Sequence, residues 1–183
     1  NKPINFITVG NLTQRKGQHN FIKALPSLLK KHSNLKYDIV GIPTNEKQIQ
    51  KLAKELNVEK HIEIHGRVSE IEKNKLLNQA HVFVMLSERT MSGDVEGFGI
   101  AILEANNLGL PALGSKNSGI EDAIKMNYSG QLVNPHNTNE IITAVDEIIQ
   151  DYSIYSQNAL TWSKNFNWIT IVKQYIQVIE NHL

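Results

Sequence analysis

Apolar residues follow two alternating rhythms along this chain. Short, mostly apolar runs occur at 4–9, 37–42, 62–64, 82–86 and 110–113. Between them, apolar residues fall three or four apart: Phe21, Ile22, Leu25, Leu28 and Leu29; then Ile49, Leu52, Ala53 and Leu56; then Ile71, Leu76, Leu77 and Ala80. A further helix is expected over 100–108. Short, mostly apolar runs suit strands buried on both faces, and the wider spacing suits helices with one apolar side. The alternation predicts an α/β fold: a doubly wound parallel sheet of about six strands with right-handed crossover helices on both faces.

The last part of the chain keeps only the helical rhythm. Asn137-Thr138-Asn139-Glu140 has the polar cap and early acid of a helix start. Ile141, Ile142, Val145, Ile148 and Ile149 supply its apolar side. Two more helices are expected at about 152–164 and 168–182.

Composition narrows the class. The chain has 183 residues, 40% hydrophobic and 20% charged, which suits one domain with a sizeable core. Its formal net charge of +1 is too slight for a nucleic-acid partner. It has no cysteine, so disulfides and thiolate metal sites are excluded. No run of about 18 apolar residues is present to span a membrane. The opening Asn1-Lys2-Pro3 lacks a signal-peptide pattern and runs straight into a strand. That start is expected to be a cut at a domain boundary, with residues 1–183 forming a single domain.

In such sheets, ligands bind beyond the carboxyl ends of the strands. Two of those loops carry candidate chemistry. The first is Gly10-Asn11-Leu12-Thr13-Gln14-Arg15-Lys16-Gly17, which leaves a strand and enters a helix with two adjacent cations. Amides at a helix start and a nearby ammonium suit an anion. The spacing is neither that of a Walker A loop nor GxGxxG. The plainer reading is a capped helix with solvated cations.

The second is the polar loop from Glu88 to Glu96, followed by Gly97-Phe98-Gly99 and a helix carrying Glu104. Glycine lets backbone approach a ligand, and the helix start suits an anion. Glu104 falls within an apolar helical segment, where a buried carboxylate needs a partner. Two adjacent hydroxyls of a ribose could supply it; so could a salt bridge to a neighbouring Lys or Arg.

The stretch Glu96-Gly97-Phe98-Gly99-Ile100-Ala101-Ile102-Leu103-Glu104, followed by Ala105 and Gly109-Leu110-Pro111, resembles the E-x7-E motif of family 4 of the retaining glycosyltransferases. Other landmarks occur in that family's order. Gly10-Asn11-Leu12 with Lys16-Gly17 is similar to its G-R-L…K-G loop, and His65-Gly66-Arg67-Val68 to its G-x-V segment. Ser118-Gly119-Ile120-Glu121-Asp122 is similar to its glycine-rich turn. Ser129-Gly130-Gln131-Leu132-Val133-Asn134-Pro135 and Phe166-Asn167-Trp168 follow. The resemblance spans residues from about 4 to 180.

That resemblance implies a Rossmann-like domain that is the C-terminal, donor-binding half of a two-domain GT-B enzyme. Its own N-terminal domain, which would hold the acceptor site, is absent. The implied reaction moves a sugar from a nucleoside-diphosphate donor to a glycan or glycolipid acceptor with retention of configuration. Glu96 and Lys16 would be catalytic, with Lys16 on the diphosphate. Glu104 would hold the ribose, and backbone near Arg67 and Val68 the base. Glu96 with the backbone of Phe98, Gly99 and Ile100 would hold sugar and phosphate, and Gly10, Asn11 and Arg15 would complete the loop. The family places Arg where this chain has Asn11, and Arg is the better bidentate phosphate ligand. No cofactor or metal is expected, since Asp94-Val95-Glu96 only loosely imitates a DxD pair. The expected location is the cytoplasm, with peripheral attachment at the inner membrane face left open.

Other features are discounted. His61, Glu63 and His65 alternate as a metal site would, but strand-surface polarity explains them. Lys47, Lys51 and Lys54 form a solvated face. Phe83 and Met85 are expected in the core, and Trp162, Phe166 and Trp168 in packing. Competing readings are another GT-B enzyme, such as an epimerase or sugar phosphorylase, and a degenerate, non-catalytic module that binds a sugar nucleotide or a protein.

Overall fold

The computed structural model describes residues 3–181. Six strands form one sheet: β1 (Ile4–Val9), β2 (Leu35–Val40), β3 (Ile62–Gly66), β4 (Val82–Met85), β5 (Ala112–Ser115) and β6 (Gly130–Val133). Their order is β3-β2-β1-β4-β5-β6, and every adjacent pair is parallel. This is the doubly wound order of a Rossmann-like sheet, with the strand order reversing between β1 and β4.

Seven helices accompany the strands: α1 (Gln18–Lys31), α2 (Glu46–Glu55), α3 (Glu70–Gln79), α4 (Ile100–Asn106), α5 (Thr138–Gln150), α6 (Tyr152–Ser163) and α7 (Trp168–Glu180). Alternation along each strand divides the core in two. Phe6, Tyr37, Ile39 and Val84 face α1, α2 and α5, where Phe21, Leu25, Ile49 and Val145 are buried. Ile7, Val40, Phe83 and Met85 face α3 and α4, where Leu76, Leu77, Ile102 and Ala105 are buried. Both faces of every central strand are thus covered, which explains why their runs are mostly apolar.

The caps follow their chemistry. Asn137 accepts from the amides of Asn139 and Glu140 to start α5, and Ser69 accepts from Glu72 to start α3.

Three expectations shift. The run at 37–42 is a strand over Leu35–Val40, because the Gly41 amide turns to the Gly66 carbonyl and Ile42 is left exposed. The run at 110–113 gives a strand only from Ala112, since Pro111 has no amide to donate and serves as an acceptor for Phe83. Trp168 does not pack: it is 81% exposed. None of the described side chains of α7 is fully buried. The expected end of that helix at residue 182, and residues Asn1 and Lys2 of the expected boundary, lie outside the described residues. Among the described residues, no helix is long and apolar enough to cross a membrane.

Candidate functional site

The loops after β1 and β4 meet at the point where strand order reverses. Gly17 makes this possible. It has a left-handed φ of 68°, and a Cβ there would sit 1.7 Å from the Leu86 carbonyl oxygen. Only glycine lets the start of α1 lie directly on the end of β4. A short 3-10 turn, Gln14–Lys16, precedes it and sets Arg15 and Lys16 towards the β4 loop.

Both cations converge on one carboxylate. Lys16 Nζ lies 2.9 Å from Glu96 Oε2, and Arg15 Nη1 donates to the same oxygen. Arg15 Nε also reaches Asp94 Oδ2 at 3.0 Å. The Lys16 side chain runs back over Gly10, where a Cβ would come within 3.2 Å of its Cε. Gly10, Arg15, Lys16 and Glu96 are thus one unit. Lys16 and Glu96 are mostly buried, with side chains 15% and 11% exposed. Charges held partly out of water interact more strongly than surface pairs.

Asn11 has a different task. Its Oδ1 accepts from the Ile42 amide at 3.3 Å, tying the β1 and β2 loops together. Arg15, four residues on, supplies the second cation beside Lys16.

The remaining candidates form a rim. Phe98 packs at a tilt against Phe166, with ring centroids 5.5 Å apart, and Phe166 in turn packs edge-on against Trp162. Gly99 opens α4 with a φ of 76°, and no side chain caps that helix start. Ile100 is exposed. Arg67 is exposed after Gly66, and Val68 packs on the α3–α4 side of the core. Glu104 corrects an expectation. It is not buried: its side chain is 47% exposed, and Lys73 Nζ lies 3.4 Å away. The helix turns this carboxylate outward, so the Lys–Glu pair foreseen as an alternative is the contact formed. That pair, with Glu70, raises the Lys73 pKa, the hydrogen bond to Glu70 contributing most.

Sequence reasoning missed Glu88. Its side chain is 7% exposed and accepts from Gln14 (3.1 Å) and Asn20 (2.9 Å), with His19 Nε2 at 3.2 Å. Burial pushes its carboxyl up, but these donors and the nearby imidazoles outweigh that and hold it below the ordinary value. Asp94 was also missed as the partner of Arg15. Neither carries a signal in spacing, because both depend on two loops meeting.

The His61–Glu63–His65 alternation resolves differently from a metal triad. His61 lies in a 3-10 turn and bonds the Leu35 carbonyl. Glu63 and His65 instead join buried Asp38, with ligand atoms within 4.8 Å. Lys36 Nζ already sits 3.1 Å from Asp38 and 2.7 Å from Glu63, so an ammonium supplies the positive charge there.

The chain resembles known proteins over most of its length. Residues 1–165 match the family model "Glycosyl transferases group 1". A GDP-mannose-dependent alpha-(1-6)-phosphatidylinositol monomannoside mannosyltransferase of Mycobacterium tuberculosis is 30% identical over 146 residues, covering 79% of this chain and 38% of the relative. The structure superposes on Anabaena Alr3699/HepE in complex with UDP and glucose, with TM-score 0.82, 21% identity, and 98% and 49% of the two chains covered. It also matches the C-terminal domain of a glycosyl transferase group 1 family protein (LpcC) from Francisella tularensis, with TM-score 0.74, 22% identity, and 90% and 87% covered. The chain spans about a third of the length of the curated relatives it matches. With the family model covering 165 of its 183 residues, the chain belongs to the group 1 glycosyl transferases.

Proposed function

We propose that this chain is the donor-binding, C-terminal half of a two-domain GT-B enzyme that transfers a sugar from a nucleoside diphosphate with retention of configuration. One observation carries the reading: Arg15 and Lys16 are held together against Glu96 where strand order reverses. The likeness to a separately solved C-terminal domain supports the domain assignment.

In this reading the bond between the anomeric carbon and the diphosphate oxygen breaks, and a bond to an acceptor hydroxyl forms as that hydroxyl loses its proton. Negative charge develops on the departing diphosphate. Lys16 and Arg15 stabilise it, more strongly in the transition state than in the ground state. In the free protein these cations are neutralised by Glu96 and Asp94. The diphosphate takes over that role and frees Glu96 for the sugar. Amides at Phe98, Gly99 and Ile100 assist the phosphate. Backbone near Arg67 and Val68 holds the base, and Glu104 exchanges Lys73 for the ribose hydroxyls. Arg15 compensates for the missing Arg at position 11. The acceptor is a glycan or glycolipid carried to the site by the N-terminal domain, in the cytoplasm or at the inner membrane face.

Calorimetric titration of the chain with UDP, GDP and ADP tests the reading. One nucleotide is expected to bind saturably. Lys16→Ala should weaken it about 10-fold or more, as the loss of a partly buried charged contact does. Glu104→Ala should weaken it severalfold. Saturable binding that both substitutions leave untouched would remove the site from this position.

A further inference from the structure

A crevice of about 220 Å³ opens beside Glu96, between the 88–96 loop and the turns that follow β5 and β6. Ser87, the second residue after β4, lines it. Ser87 is 1% exposed, and its Oγ has no hydrogen-bond partner. A buried hydroxyl left unpaired is costly, and such groups are rare in native proteins unless a ligand or water completes them.

The rest of the lining indicates what completes this one. Asn117, Ser118, Asn134 and His136 surround the crevice with amides, a hydroxyl and an imidazole, Glu96 adds a carboxylate, and Arg89 and Lys116 add cations. This mixture of donors and acceptors suits a ring bearing several hydroxyls. Glu88 also lines the crevice, but its oxygens are engaged by Gln14, Asn20 and His19. Lys116 is likewise engaged, by Glu140 at 3.1 Å.

Position links the crevice to the diphosphate site. Glu96 lines the crevice and pairs with Lys16. The wall formed by the β5 turn is fixed to Glu96: the Gly119 amide donates to the Glu96 carbonyl at 3.3 Å. A Cβ at Gly119 would lie 1.9 Å from the Gly97 oxygen. A group bonded to a diphosphate at Lys16 is therefore one carboxylate away from Ser87.

We infer that Ser87 is a specificity-determining residue that hydrogen-bonds a hydroxyl of the pyranose ring on the nucleotide-sugar donor, in a subsite completed by Asn134 and His136. This rests on the donor-site reading above and goes beyond the residues it uses.

The test compares wild type with Ser87→Ala by calorimetry, using UDP, UDP-glucose, UDP-galactose, UDP-N-acetylglucosamine, GDP and GDP-mannose. Wild type should bind one nucleotide sugar more tightly than its parent nucleotide. In Ser87→Ala that advantage should shrink about fivefold, the scale of one neutral hydrogen bond, while the nucleotide alone binds as before. Asn134→Ala should shrink the advantage in the same way. The free Ser87→Ala protein should melt about 3 °C higher, having lost an unpartnered hydroxyl, which shows that weaker sugar binding is not a folding defect. If wild type binds no nucleotide, the donor-site reading fails and takes this inference with it. If nucleotide binds but no sugar adds affinity, or the advantage survives Ser87→Ala, this inference alone is overturned.

Discussion

Glu88 shows how much of the site lies in single contacts. Three neighbours from α1 and the turn before it hold its carboxylate, and His19 is among them. Burial pushes the His19 imidazole below its ordinary value of 6.5, and Lys23 and His136 add to this, while Glu88 offsets it in part. Both groups then act in one direction with pH. Below pH 6.5 the unfolded chain takes up a proton at His19 that the folded chain resists, so stability falls as pH drops through that value. Below 4.5 the unfolded Glu88 is protonated before the folded one, and further stability is lost. The melting temperature is therefore expected to decline in two stages, and His19→Gln should flatten the upper one. An unchanged slope between pH 5 and 6.5 in that variant would refute the assignment to His19. Little of this is visible in sequence. Arg15 and Lys16 stand out because they adjoin a glycine after a strand, but Asp94 lies 79 residues from Arg15 and Glu88 lies 69 from His19.

Elements were far more legible than their partners. Each apolar run found a strand because the sheet is covered on both faces, so burial leaves a mostly apolar signature, and the buried Asn5 and Asp38 that interrupt it bond each other. The sixth strand left a weaker one, since its Gln131 is buried by bonding Tyr155 and Glu147 rather than by being apolar. Helix α7 shows the opposite limit: periodicity located it, yet its apolar side chains are exposed. Spacing reports that a side is apolar, not what covers it. Between elements, the tightest joint is the turn from β1 into α1. Gly17→Ala there combines a left-handed φ with a clash against the β4 carbonyl. It is expected to destabilise the chain by about 2 kcal/mol or more, read from the shift of a urea unfolding curve. A loss under about 0.5 kcal/mol, typical of an unconstrained surface site, would show that the joint yields.

At the scale of the whole molecule, the candidate chemistry lies on one rim. Gly10–Gly17, Arg67–Val68 and Asp94–Ile100 all follow the carboxyl ends of strands, as a doubly wound sheet requires. On the donor-site reading proposed above, that rim binds a nucleotide through contacts belonging to this chain. Catalysis asks for more. Arg15 and Lys16 remain 27% and 15% exposed, and water that reaches them weakens their hold on developing charge. The chain covers only about a third of its curated relatives. On the two-domain reading proposed above, the surface that would close over this rim belongs to the other half. Binding and turnover should therefore separate. The 183-residue chain is expected to bind the nucleotide within about tenfold of the full-length protein, while transferring sugar at least about 100-fold more slowly. Parallel calorimetry and product assays on the two proteins measure both quantities. Transfer by the chain alone at a rate near that of the full-length protein would mean that Lys16, Arg15 and Glu96 suffice without closure, and the second domain would then matter for choosing the acceptor rather than for excluding water.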